Sequence, residues 1–230
     1  MPSPPVRSCV SAIVLLLATS GGGPAACAPP RRPVAAPFVV RPVAAVSKAD
    51  LWRRVASAAD ENRIARVRAA WTEALGEARS HGFGGEIKKE GILLDPRAAL
   101  TRPAPSPGSY SCRLVRLGSV SKKNFSVERF KPFFCYIQPE GELLAFVKQT
   151  GSERPAGRLW EDDVTTRMVY LGSLGIGEAA PRTYGEDRAH DMAGVMERIA
   201  PFVWRLVIPW PRGGSKLDVY ELTPAADQPK

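Results

Sequence analysis

Residues 110–117 read YSCRLVRL, residues 130–149 read FKPFFCYIQPEGELLAFVKQ, and residues 165–174 read TTRMVYLGSL. Short runs of Val, Leu, Tyr, Phe and Cys are broken by Gly, Pro, Ser and Glu, the pattern of antiparallel strands joined by tight turns. Tyr110, Cys112 and Leu114 alternate with Ser111 and Arg113, so the first run has one buried face. Phe130 to Gln138 is apolar on both faces, as in a central strand. Pro139-Glu140-Gly141 turns the chain into Glu142 to Gln149, and Thr150 to Gly157 connects that run to Arg158-Leu159-Trp160. Arg167 to Leu171, Phe202 to Ile208 and Lys216 to Leu222 follow. About seven strands at this spacing predict a strongly curled antiparallel sheet or a small β-barrel.

Working outward, helical periodicity flanks the strands and makes the fold class α+β. Ser47, with Asp50 three residues on, opens a first helix whose apolar face is Leu51 and Val55. Asp60 caps a second helix. There Ile64, Val67, Trp71, Leu75 and Ala78 form an amphipathic stripe, ended by His81-Gly82-Phe83-Gly84-Gly85. This N-terminal helical pair covers an open end or face of the sheet. Its other side carries Arg63, Arg66, Arg68, Glu73, Glu77 and Arg79, a solvated face. Ile92, Leu93 and Leu94 suggest a short strand in the connector from Glu86 to Pro107. Glu186 to Ile199 reads as one late helix, with Met192, Val195, Met196 and Ile199 inward.

The length of 230 residues suits one domain with a leader and a linker. Residues 1–26 read as a signal peptide: Arg7 precedes an apolar stretch from Cys9 to Ala18, too short to span a bilayer. Pro24-Ala25-Ala26-Cys27 resembles a bacterial lipobox with Pro24 where Leu is usual, so Cys27 is the expected lipidation site. Soluble periplasmic release near Ala26 is the alternative. Residues 27–46 are a Pro/Ala-rich tether. Residues 47–225 form the single globular domain, helical over 47–85 and mainly β over 108–225, and residues 226–230 are a tail. After export, Cys112 and Cys135 remain as a pair in an oxidising compartment, where a disulfide is expected. Closing that loop stabilises the fold by roughly 3 kcal/mol.

Hydrophobic content of 44% supports a core, and the net charge of +9 is uneven. Four of the 32 bases and none of the acids lie in the first 47 residues, and the remainder is mixed in sign. That argues against a nucleic-acid partner. Two histidines exclude a three-His zinc site, no metal or cofactor motif is present, and no nucleophile elbow or phosphate loop occurs. The best polar constellation is Thr150, Ser152, Glu153 and Arg154 with Tyr184, Asp187 and His190. Arg154 is placed to grip a carboxylate or phosphate, and the others supply a polar wall. The expected partner is another protein or a small apolar or anionic ligand, with membrane contact through the N-terminal lipid. A small hydrolase or transferase using Glu153, Arg154, Asp187 and His190 is the alternative. A protease-inhibitor-like barrel using Pro29 to Pro42 is a third.

The segments GSYSCRLVRLG, FFCYI, KQTGSERPAGRLW, RMVYLGS, YGEDRAHDMAGVMERI, WRLVIPWP and SKLDVYELTP, in that order, resemble domain-of-unknown-function family 4893 over about residues 48–225. One departure is Gly213-Gly214-Ser215, where the family pattern has an acidic residue beside the Ser. The resemblance implies exported, often lipid-anchored envelope proteins and carries no activity onto any residue. The opening strand with a second Cys one hairpin on is also similar to lipocalin-like and protease-inhibitor barrels, an analogy of fold.

Overall fold

The computed structural model describes residues 47–118 and 127–226. The signal peptide, the tether with Cys27, Pro29 to Pro42, and most of the tail lie outside the described residues. Among the described residues the strands are β1 (Gly108–Leu117), β2 (Val127–Arg129), β3 (Phe133–Glu140), β4 (Leu143–Val147), β5 (Glu153–Glu161), β6 (Met168–Ile176), β7 (Asp191–Ala200), β8 (Val203–Pro209) and β9 (Leu217–Pro224). All neighbours are antiparallel. β3 to β9 follow one another in sequence order, and β9 pairs back onto β1 from Tyr110↔Pro224 to Leu117↔Leu217. The ring is therefore closed, with β1 and β3–β9 as its eight strands.

β1 meets β9 along one edge and two partners along the other. Its start pairs with β3 (Tyr110↔Cys135, Cys112↔Phe133), and its end pairs with the extra strand β2 (Leu117↔Val127). Cys112 and Cys135 are joined by a disulfide across the β1–β3 seam, with Cα atoms 6.0 Å apart.

Alternation along the strands sorts the side chains into two cores. The barrel interior holds Tyr110, Cys112, Leu114, Cys135, Phe146, Tyr170, Met196, Trp204, Leu206 and Tyr220. The second core lies outside the wall, where Val115, Leu117, Val169, Leu171, Val195, Val207 and Val219 meet a helical layer. That layer comprises α1 (Ala49–Arg53), α2 (Ala58–Ala65), α3 (Val67–Ser80), α4 (Gly84–Glu90) and a 3₁₀ turn (Gly91–Leu94). The tight curl needs glycine on the inner wall. Gly157 and Gly172 are register partners on β5 and β6, and a Cβ on either would collide with the other's backbone.

Several expectations are corrected. The late helix is β7. Its inward residues (Met192, Gly194, Met196) face the barrel interior, while Ala193, Val195 and Ile199 face the helical layer, so both faces are apolar. A doubly buried strand shows no alternation, and Met192, Val195, Met196 and Ile199 then mimic a helical period. Gly194 packs so close to the Val207 carbonyl that only a strand with no side chain fits there. Residues 92–94 form the 3₁₀ turn rather than a strand. The ring has eight strands rather than the seven expected because β7 stands where a helix was expected, and β2 adds a ninth strand beside it.

The helical pair is four short helices. Leu51 and Val55 are 49% and 43% exposed, and Ala49 and Trp52 face the barrel instead. Ser47 does not cap α1, because its hydroxyl donates to Asp163 Oδ2 (2.5 Å) across the domain. Ser57, not Asp60, caps α2, its Oγ accepting from the Asp60 amide. Arg66, off helical geometry, divides α2 from α3. Ile64, Val67, Trp71, Leu75 and Ala78 are all buried, as the stripe predicts. Gly84-Gly85 restarts a helix because Glu86 and Glu90 anchor it to Arg129 and Arg113 on the barrel. Phe134 on β3 is 54% exposed, since the helical layer does not reach that part of the wall.

Candidate functional site

The inward phase of the strands stays apolar until it reaches one end of the barrel. On β1 the sequence Tyr110, Cys112, Leu114 continues to Arg116. On β9 the sequence Leu222, Tyr220 continues to Asp218. On β5 Leu159 shares its face with Glu153, and on β4 Phe146 shares its face with Lys148. Antiparallel pairing brings these four ends together at a single mouth.

Arg116 is the hub of that mouth. Its Nε donates to Asp218 Oδ1 (3.0 Å), and its Nη2 donates to Asp218 Oδ2 (2.9 Å) and Glu153 Oε2 (3.1 Å). Ser215 Oγ donates to Asp218 Oδ1 at 2.6 Å. The Lys148 ammonium sits 4.2 Å from the Phe133 ring centre. The cleft above measures about 300 Å³ and is lined by Arg116, Glu153, Asp218, Tyr220, Leu174, Met192, Ile208, His190 and Arg212. The two carboxylates differ in freedom: the Asp218 side chain is 3% exposed and the Glu153 side chain 38%.

Burial sets the electrostatics. It works against the Arg116 charge, but the bonds and field of Asp218 and then Glu153 outweigh it, and the guanidinium holds its proton above the ordinary arginine value. Burial pushes the Asp218 carboxyl up, against the pull of Arg116 and Ser215. Burial lowers the Lys148 ammonium; Glu153 partly offsets this, and Arg116 and Arg154 add to it. At the floor, burial and the Asp218 charge raise the Tyr220 hydroxyl well above its usual value, and burial alone raises Tyr170.

The seven sequence-predicted ligand residues are distributed over four places. Glu153 and His190 line the mouth. Thr150 and Ser152 are exposed on the β4–β5 turn. Arg154 bonds three backbone carbonyls: Gly151 (3.0 Å), Gly177 and Ala179 (2.8 Å). It fastens the β4–β5 turn to the connection after β6. Tyr184 lies outside the wall, donating to Asp60 Oδ2 (2.5 Å) and accepting from the Ser57 amide (2.9 Å), which pins α2. Asp187 meets His190 Nδ1 at 2.8 Å in a tight exposed turn, and that hydrogen bond lowers the Asp187 carboxyl.

Sequence reasoning missed Arg116, Lys148, Ser215, Asp218 and Tyr220. The available signal was a charge at the inward phase of an apolar strand, in Leu114-Val115-Arg116-Leu117 and Leu217-Asp218-Val219-Tyr220. Among the described residues no cluster of three or more His, Cys, Asp or Glu side chains is arranged to hold a metal ion, and no helix is long and apolar enough to cross a membrane.

A family model described as Domain of unknown function (DUF4893) matches residues 52–222. No curated protein and no solved structure matches the chain. The match takes in the whole barrel ring from β1 to Leu222 on β9, together with nearly all of the helical layer.

Proposed function

We propose that this chain, which belongs to the DUF4893 family, is a binding module of the bacterial cell envelope. Its site is the barrel mouth, and its ligand is a small molecule with an apolar body and a carboxylate or similar anionic group. One observation carries this reading. Arg116 is held from below by the buried Asp218, while Glu153, a partly exposed side chain, meets it at the solvent edge. An incoming anion replaces Glu153 on the guanidinium, and Leu174, Met192, Ile208 and Tyr220 receive the apolar body.

Export is supported by the Arg7 and Cys9 to Ala18 leader and by the Cys112–Cys135 disulfide, a bond that persists in oxidising compartments. A lipid on Cys27 anchors the domain in this reading, and mass spectrometry of the processed chain checks it by the acyl mass on Cys27. The ligand test titrates the full chain with octanoate while following the Met192 methyl signal by NMR. A saturable shift at millimolar affinity or tighter is expected, roughly the strength a few apolar contacts and one ion pair provide. Glu153→Gln tightens binding by removing the competitor, and Arg116→Met weakens it about tenfold, the loss of one charge-assisted hydrogen bond. No shift at Met192, or equal binding by Arg116→Met, overturns the proposal.

A further inference from the structure

Helices α3 and α4 separate their charges by side. Their carboxylates reach toward the barrel: Glu73 and Glu77 hold Lys216 (2.5 and 3.5 Å), Glu86 holds Arg129 (2.7 Å), and Glu90 holds Arg113 (2.6 Å). The cations of the same helices are left on the outer side. Arg68, Arg79 and Lys88 are exposed, and among the described residues no carboxylate lies within ion-pair distance of them. Arg97 is 87% exposed in its side chain and reaches Asp95 only at 3.8 Å.

These four cations stand around one groove of about 900 Å³ between α3 and the segment running from α4 through the 3₁₀ turn to Arg97. Trp71, Leu75, Ile87 and Leu94 form its floor. Gly76 leaves the α3 wall open, since a Cβ there would meet nothing within 4 Å.

We propose that this groove docks an acidic segment of a partner protein, with carboxylates on the Arg68, Arg79, Lys88 and Arg97 rim and an apolar residue over the Leu75–Ile87 part of the floor. Charge complementarity selects the occupant. The groove is concave, so a flat bilayer would touch the rim cations but not the floor. Nucleic acid is disfavoured because no aromatic face is offered for stacking: Trp71 is buried with Arg205 over its ring at 4.8 Å. This inference uses a surface outside the barrel wall and stands independently of the mouth.

The test uses the purified full chain and a fluorescein-labelled peptide of Glu and Leu, with Leu at helical spacing, read by anisotropy. Saturable binding that weakens with salt is expected, and Arg68→Glu/Arg79→Glu/Lys88→Glu lowers affinity about tenfold or more, as loss of complementary charge does. The control Lys131→Glu/Arg182→Glu/Arg188→Glu makes the same charge change elsewhere and leaves binding intact. Unchanged thermal unfolding confirms that both triple variants fold. Equal loss in both variants, equal binding of a scrambled peptide, or absence of peptide binding overturns the proposal. So does rim-dependent binding of phosphatidylglycerol vesicles in place of the peptide.

Discussion

The two cores of this protein solve the same packing problem with different materials. Inside the barrel a few large side chains fill a closed tube: Phe146 meets Tyr170 and Tyr220 edge-on, with ring centres 6.1 Å apart in each case, and Tyr110 meets Trp204 at 5.9 Å. Outside the wall the core is mainly Ala, Val, Leu and Ile, with Trp52 and Trp71 set among them, and directional polar bonds cross it. Arg205, fully buried there, donates to Glu197 (2.7 Å) and to the carbonyls of Leu93 (2.8 Å) and Asp95 (2.7 Å). The difference teaches how each core gains specificity. Shape fixes the inner one, through interlocking rings and glycine gaps. Directional bonds help fix the outer one, anchoring the helices over a mainly aliphatic wall.

Removing shape from the inner core gives the largest effect. Phe146→Ala is expected to cost about 4 kcal/mol, because its two aromatic neighbours cannot collapse into the space. Urea unfolding measures it, and a loss below about 1 kcal/mol would show that the interior repacks freely. Removing a bond from the outer core comes next. Arg205→Ala strands Glu197 and two carbonyls and is expected to cost about 3 kcal/mol. Arg205→Met with Glu197→Leu should recover much of that loss; no recovery would mean that volume, not charge, holds the helical layer.

The smallest effect is confined to high pH and separates the cores spectroscopically. Tyr170 and Tyr220, both fully buried, have raised hydroxyl pKa values in the folded state. A raised acid favours the fold below the unfolded value of about 10, and that contribution is lost as pH climbs beyond it, by about 1.4 kcal/mol per unit for each hydroxyl. Ultraviolet titration should therefore show two of the five tyrosines ionising only as the barrel unfolds. Their reversible ionisation in the folded chain would indicate a hydrated interior.

Much of the β region was legible in sequence because each strand is short and its turns carry Gly or Pro, as at Gly141 and Gly151. The cysteine pair was legible for the same reason, lying on neighbouring runs. β7 was not, since a strand buried on both sides loses the alternation that identifies strands. The mouth was hidden for a different reason. Arg116 and Asp218 lie 102 residues apart, and each looks like an isolated charge in an apolar strand. Only closure of β9 onto β1 makes them neighbours. Glu153 was noticed, but with Arg154 as its companion, and alternation sends those two side chains to opposite faces of β5.

The junctions of the closed ring differ in how far apart in the chain their strands lie. Every junction from β3 to β9 is made by strands that follow directly in the chain. Two junctions differ: β1 with β3, interrupted by β2, and β1 with β9, whose partners come from opposite ends of the barrel sequence. The covalent sulfur link makes the first of them permanent. The β1–β9 junction carries no such link, and the Arg116–Asp218 pair sits at its rim, so the mouth is complete only when the whole ring is closed.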